Sequence, residues 1–288
     1  MKDMTSVIIA AHNEESVIER CLAAVSHGGM PVHVIVSANG CTDATAELAR
    51  ARHALVVDRR TAGKPGALNA AERLAETFPR VYLDADILTP PGGIATLVTA
   101  LNEHAGVLAA VPRRRINTSG RPWAVRAYFQ INQRLPVFRS GLFGRGLIVV
   151  SELGRARFGE FPELVADDLF LDAQFSAAEK LEVADVEVVV EAPWTTVDLM
   201  NRLVRVRRGN AEMRRAAADQ GIDAVVRPSD RWSWLRDVVM QQPRLAPDAL
   251  AYVAITMLAG YRARRAPHGG WGRDESTRML SETGSTAP

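Results

Sequence analysis

Through its first hundred residues the chain alternates short apolar runs with stretches whose apolar positions recur at helical spacing. Residues 6–11, 32–36, 54–57 and 81–83 are rich in β-branched and aliphatic side chains and are of strand length. Residues 16–24, 44–51 and 67–76 read as helices, the first with Val17, Ile18, Cys21 and Leu22 on one face. Strands alternating with helices of about ten residues predict a parallel sheet flanked by helices. Downstream, the pattern predicts a helix over 93–103, a strand over 106–112, a helix over 123–134, a strand over 147–150, an alternating strand over 183–191 and an arginine-rich helix over 197–215. The stretch 61–66 reads as a loop, the basic, turn-rich stretch 113–122 as a mobile loop, and the Gly/Ser/Thr-rich residues after Pro267 as a poorly ordered tail.

Each early apolar run ends in polar residues. The first leads to His12-Asn13-Glu14-Glu15, the second to Asn39-Gly40-Cys41-Thr42-Asp43, and Lys64 follows the third. The fourth run, Val81-Tyr82-Leu83, leads into Asp84-Ala85-Asp86. In an open α/β sheet the carboxyl ends of parallel strands lie side by side and form the ligand crevice, so these groups are expected to converge. Residues two apart in an extended chain face the same way, so Asp84 and Asp86 can address one point. Two carboxylates joined by diphosphate oxygens suit Mg²⁺ or Mn²⁺, although an Asp-Ala-Asp triplet alone also suits a solvated turn.

Composition narrows the reading a little. A net charge of +2 gives no reason to expect a nucleic-acid partner. The two cysteines, Cys21 and Cys41, form neither a metal-ligand pattern nor a disulfide framework, which points to a reducing cytoplasm. Residues 1–9 lack the apolar core of a signal peptide, and no apolar stretch reaches the roughly 18–20 residues of a membrane span. The nearest, 249–261, precedes Arg262, Arg264 and Arg265. This segment, 249–265, suits a packed helix or a peripheral contact at the inner face of a membrane.

Taken in order, the motifs resemble those of inverting GT-A-fold glycosyltransferases of the family 2 type. The matching residues are Ala10-Ala11-His12-Asn13-Glu14-Glu15, Ala38-Asn39-Gly40-Cys41-Thr42-Asp43, Gly63-Lys64-Pro65-Gly66-Ala67-Leu68-Asn69, Asp84-Ala85-Asp86 and the acidic pair Asp167-Asp168. The resemblance covers residues 5–215. It implies a GT-A α/β fold, with a Rossmann-like, mostly parallel central sheet and a helical C-terminal part. In that layout 1–112 is the nucleotide-sugar-binding half, 113–215 the acceptor and catalytic half, 216–266 a helical extension and 267–288 a flexible tail.

It also implies roles. Ala11, His12, Glu14 and Asn39 hold the base and ribose of a nucleotide-sugar donor, expected to be a UDP-sugar, and Asp43 belongs to the same set. Lys64 sits by the diphosphate, Asp84 contacts ribose or metal, and Asp86 binds Mn²⁺ or Mg²⁺. Asp168 is the general base, with Asp167 beside it in place of the family's usual Glu. Asn39 also departs from the family, whose members often carry Asp there. Arg205 and Arg208 stand where processive relatives carry Q-x-x-R-W, a motif this chain lacks, and are expected to clamp the diphosphate. Each residue has an alternative: Asn39 as a turn residue, Asp43 or the acidic pair as helix caps, and Lys64 and the arginines as solvated surface charges. The acceptor is a hydroxyl compound, with lipid-linked molecules and glycans both open. A nucleotidyltransferase or a catalytically silent nucleotide-sugar binder is the alternative function. The first is disfavoured by an acidic loop where triphosphate would bind, the second by the intact carboxylates.

Overall fold

The computed structural model describes residues 4–163, 167–219 and 230–265. Its elements run β1 (Thr5–Ala11), α1 (Ile18–Ser26), β2 (Val32–Asn39), α2 (Thr45–Ala51), β3 (Leu55–Arg59), α3 (Lys64–Glu72), β4 (Arg80–Asp84), α4 (Gly93–Glu103) and β5 (Ala109–Asn117). There follow α5 (Trp123–Asn132), α6 (Val137–Ser140), β6 (Leu147–Val150), α7 (Glu152–Arg155), α8 (Asp167–Ala173), β7 (Lys180–Glu191), α9 (Thr196–Asp219) and α10 (Ala246–Arg265). The seven strands form one sheet in the order β3-β2-β1-β4-β6-β5-β7. β1 pairs in parallel with β2 and β4, and β2 with β3, whereas β6 runs antiparallel to both β4 and β5.

This is the expected α/β class, with a parallel half built from the alternating first hundred residues. β1 is buried along almost its whole length, as strands covered on both faces are. Val7, Ile9, Val81, Leu83, Leu147 and Val149 pack with Ile18, Leu22, Ile94 and Leu97 of the covering helices. Aligned carboxyl ends follow from register: Ala10 lies opposite both Ser37 and Asp84.

The described residues divide into two compact units, 4–115 with 140–163 and 167–190, and 116–139 with 191–219 and 230–265. The second unit is helical. Val125, Tyr128 and Phe129 of α5 pack with Leu199 and Met200 of α9 and Ile255 and Ala259 of α10.

Three local expectations are corrected. Residues 113–117 continue β5 instead of opening a loop. Their basic side chains find acids across the sheet: Arg113 and Arg115 both pair with Glu187 of β7, at 3.0 and 2.8 Å. β2 runs three residues past Val36, so Asn39 closes the strand, opposite Arg59. The loop 61–66 ends early because Pro65, pre-set for a first helical turn, lets α3 begin at Lys64. The expected tail, 267–288, lies outside the described residues.

Candidate active site

The site lies at the carboxyl ends of β1, β2 and β4. The loops after β1 and β2 are laced together. Asn13 accepts the Thr42 N–H at 2.8 Å, and the Glu14 N–H donates to the Thr45 hydroxyl at 2.7 Å. Asp43 accepts from the Glu15 N–H, the Thr45 N–H and the Thr45 hydroxyl. The Asp43 carboxylate therefore ties the start of α2 to the first loop, one residue ahead of the N-cap, Ala44. Cys41 takes part through its sulfur, which accepts the Asn13 N–H and reaches the Ala11 carbonyl. Ala11 and Glu14 are buried, and His12 is half-buried beside them.

Asn39 is 1% exposed, and its side-chain oxygen has no hydrogen-bond partner among the described residues. Such an acceptor is costly to bury unless something completes it. The turn after it requires glycine: Gly40 has φ +64°, and a Cβ there would lie 2.9 Å from the Ala62 nitrogen.

Lys64, at the start of α3, bridges two motifs far apart in the chain. Its ammonium lies 2.7 Å from Asp84 and 2.9 Å from Asp167. Burial opposes its charge, but Asp167 and Asp84 outweigh burial and raise its pKa well above the usual value. Asp84 ends β4, while Asp86 is exposed in the turn that follows, closed by the Ile87 N–H on the Asp84 carbonyl at 3.1 Å. Asp84 thus sits in extended strand and Asp86 does not, so the two carboxylates are not placed by strand alternation as expected. Cys21 lies beneath this turn, its sulfur 3.9 Å from the Asp84 carbonyl oxygen. Its thiol is pushed up to about 12 by burial first and then by the charges of Asp86, Asp84 and Glu14.

The acidic pair opens α8. Asp168 accepts the Gly144 N–H at 3.1 Å and the Leu169 N–H at 2.8 Å. Its pKa rises from the ordinary 3.8 to about 6, through burial first and the charge of Asp167 second, against the pull of Lys64 and the Gly144 N–H. A carboxyl poised there can take a proton near neutral pH.

Two supports take their partners only in the fold. Arg145 is 1% exposed and donates to the carbonyls of Pro112 at 2.7 Å and Gly141 at 2.5 Å, and to Glu182. It thereby holds the glycine-rich loop whose Gly144 meets Asp168 and whose Gly146 carbonyl accepts the Asp84 N–H at 2.8 Å. Asp172 accepts the Leu142 N–H at 2.9 Å from the same loop and pairs with Lys180 at 2.8 Å, both side chains buried. The available signals were an arginine set among glycines and Lys180, one of only three lysines.

Among the described residues no three His, Cys, Asp or Glu side chains form a ready-made metal cage. Asp84 and Asp86 still offer the hard oxygens that Mg²⁺ and Mn²⁺ prefer. They could form one side of a coordination shell whose remainder is phosphate and water. Arg205 and Arg208 lie on α9, in the second unit.

A parallel half-sheet with acids and a lysine at its carboxyl edge, continued by antiparallel strands, is the GT-A fold of glycosyltransferases. Residues 6–150, half of the chain, match the sequence profile of Glycosyl transferase family 2, and the chain belongs to that family. It is therefore a glycosyltransferase. Among solved structures it is similar in fold to the mannosyltransferase PcManGT from Pyrobaculum calidifontis, determined with GDP-Man and Mn²⁺. Identity is 21%, the TM-score is 0.59, and the match covers 93% of this chain and 77% of that one. A second similar structure is glucosyl-3-phosphoglycerate synthase from Mycobacterium tuberculosis, at 21% identity and TM-score 0.48, covering 65% of this chain and 71% of that one. No curated protein matches the chain.

Proposed function

We propose that the protein transfers a sugar from a nucleoside-diphosphate donor to an acceptor hydroxyl with inversion, with Asp168 as general base. The observation that carries this reading is the bridge by Lys64 of Asp84 and Asp167, which gathers three separated motifs beside a carboxyl raised to about 6.

In this reading Ala11, His12, Glu14 and the unsatisfied oxygen of Asn39 receive the base and ribose, and Asp43 keeps their loops in register. An amide both donates and accepts, so Asn39 can pair with more than one base. Uridine is our reading from the motif resemblance, and GDP, carried by the solved mannosyltransferase, is its competitor. Lys64 moves its charge from the carboxylates to the donor diphosphate. Asp84 and Asp86 would hold Mn²⁺ or Mg²⁺. A divalent cation there neutralises charge that develops on the departing nucleoside diphosphate. Asp168 takes the acceptor proton as the hydroxyl oxygen attacks the anomeric carbon, on the face opposite the leaving group, through an oxocarbenium-like transition state. We propose Arg205 and Arg208 as further diphosphate ligands, to be tested as single alanine variants.

The test is thermal stability against UDP, GDP, CDP, ADP and TDP, each with and without Mn²⁺. A ligand that binds only the folded state raises the melting temperature by mass action. We expect a manganese-dependent rise with one base, lost in Asp86→Ala and kept in Asp168→Asn. No rise with any nucleotide would overturn the donor assignment. Loss of the rise in Asp168→Asn would remove that residue from the base role.

A further inference from the structure

The helix α10 is apolar on two sides. Its inner side, Ala249, Ile255 and Ala259, is buried against α5 and α9. A surface helix normally turns a polar side outward. Here the outer side presents Leu250, 75% exposed, Met257, 70% exposed, and the exposed Leu258 and Tyr261. These residues form one stripe along the helix, since positions three, four, seven and eleven apart share a face.

The stripe ends in charge of one sign. Arg262, Arg264 and Arg265 are exposed, and no acidic residue occurs between Ala249 and Arg265. The Arg265 guanidinium lies 4.4 Å from the centre of the Tyr261 ring, so an aromatic and a cation share the end of the stripe. Among the described residues no helix is long and apolar enough to cross a membrane. A helix that cannot span, with an exposed apolar stripe and arginines at its end, has the make-up of one that lies along an interface. Apolar side chains then enter the acyl boundary, and guanidinium groups meet lipid phosphates. A second copy of the chain would fit the apolar stripe but not the charge. Side by side, the arginine clusters repel each other, and end to end the helix itself offers them only Asp248.

We propose that the outer face of α10 is a membrane-contact surface that seats this protein on bilayers containing anionic lipid. The proposal is independent of the donor and base assignments, and its failure would leave them untouched.

The experiment is co-sedimentation of the full chain with vesicles of phosphatidylcholine alone or with about one-third phosphatidylglycerol. The variants are Leu250→Ser with Met257→Ser, and Arg262→Ser with Arg264→Ser. All four positions are exposed, and unchanged circular dichroism and melting temperature verify that each variant is folded. We expect wild type to bind the anionic vesicles about tenfold more tightly than neutral ones, and each variant to lose about tenfold on the anionic vesicles. Raising salt to about 0.5 M should weaken wild type and leave the arginine variant nearly unchanged. The proposal is overturned if wild type fails to bind anionic vesicles or the variants bind as well as wild type. It is equally overturned if sedimentation shows a wild-type dimer that Leu250→Ser with Met257→Ser dissolves, which would make the stripe a contact between copies.

Discussion

Asp168 holds its proton more tightly folded than unfolded, because burial and Asp167 oppose its charge. This has consequences of opposite sign for activity and stability. As the proposed base it works only when ionised, so kcat/KM of the free enzyme should rise with pH and level off above about 6, read from a pH–rate profile. Stability behaves differently. Between the ordinary 3.8 and about 6, the folded chain keeps a proton that the unfolded chain has lost, so this group's contribution to stability falls as pH rises through the window. Asp168→Asn removes both effects. Turnover should drop by about 10²–10⁴-fold while donor affinity stays. Denaturant titration at pH 8 should show the variant more stable by about 1–2 kcal/mol.

The elements that carry the site depend on one loop. Residues 141–146 connect the backbone of β4 to the acids of α8, and a single glycine closes the approach. Gly146 has φ +67°, and a Cβ would come within 2.5 Å of Ile87 and 3.0 Å of an Asp84 oxygen. Gly146→Ala should therefore cost about 1–3 kcal/mol in urea unfolding and weaken metal-dependent donor binding at the same time. Behind the loop, the buried pair of Asp172 and Lys180 acts as a unit. Lys180→Met strands a buried carboxylate and should destabilise the protein by about 3–5 kcal/mol, whereas adding Asp172→Asn should recover part of that loss. Losses that simply add, the double variant losing as much as the two single variants together, would show that the pair is not coupled.

At the scale of the whole molecule, donor and cation should stabilise the fold together or not at all. In the proposed site Asp84 and Asp86 would fill only part of a cation's coordination shell, and diphosphate oxygens would supply further ligands. At about a hundredfold excess over Kd the pair should add about 2.7 kcal/mol to the stability of the chain. A chelator should remove that gain, and Mn²⁺ without nucleotide should produce little of it, both read by differential scanning calorimetry. A full gain from nucleotide in the presence of the chelator would mean that the carboxylates do not recruit a metal.

The alternating pattern determined the α/β class, the parallel half-sheet and the identity of the polar groups at its edge, because strand burial and helix amphipathicity are local and periodic. Motif order was enough to point to the family that the sequence profile shows. The tertiary structure decided what the polar groups touch. That Lys64 joins Asp84 to Asp167, about a hundred residues away, that Asn39 is a buried strand end, and that β5 continues through Arg113 and Arg115 all depend on partners distant in the chain. The burial of Arg145 and the pairing of Asp172 with Lys180 were illegible for the same reason. A charged residue reads as surface until the fold supplies the carbonyls and opposite charge that let it be buried. The outer face of α10 is the converse case: its apolar residues suited a core, and only packing showed which side of the helix the core leaves bare.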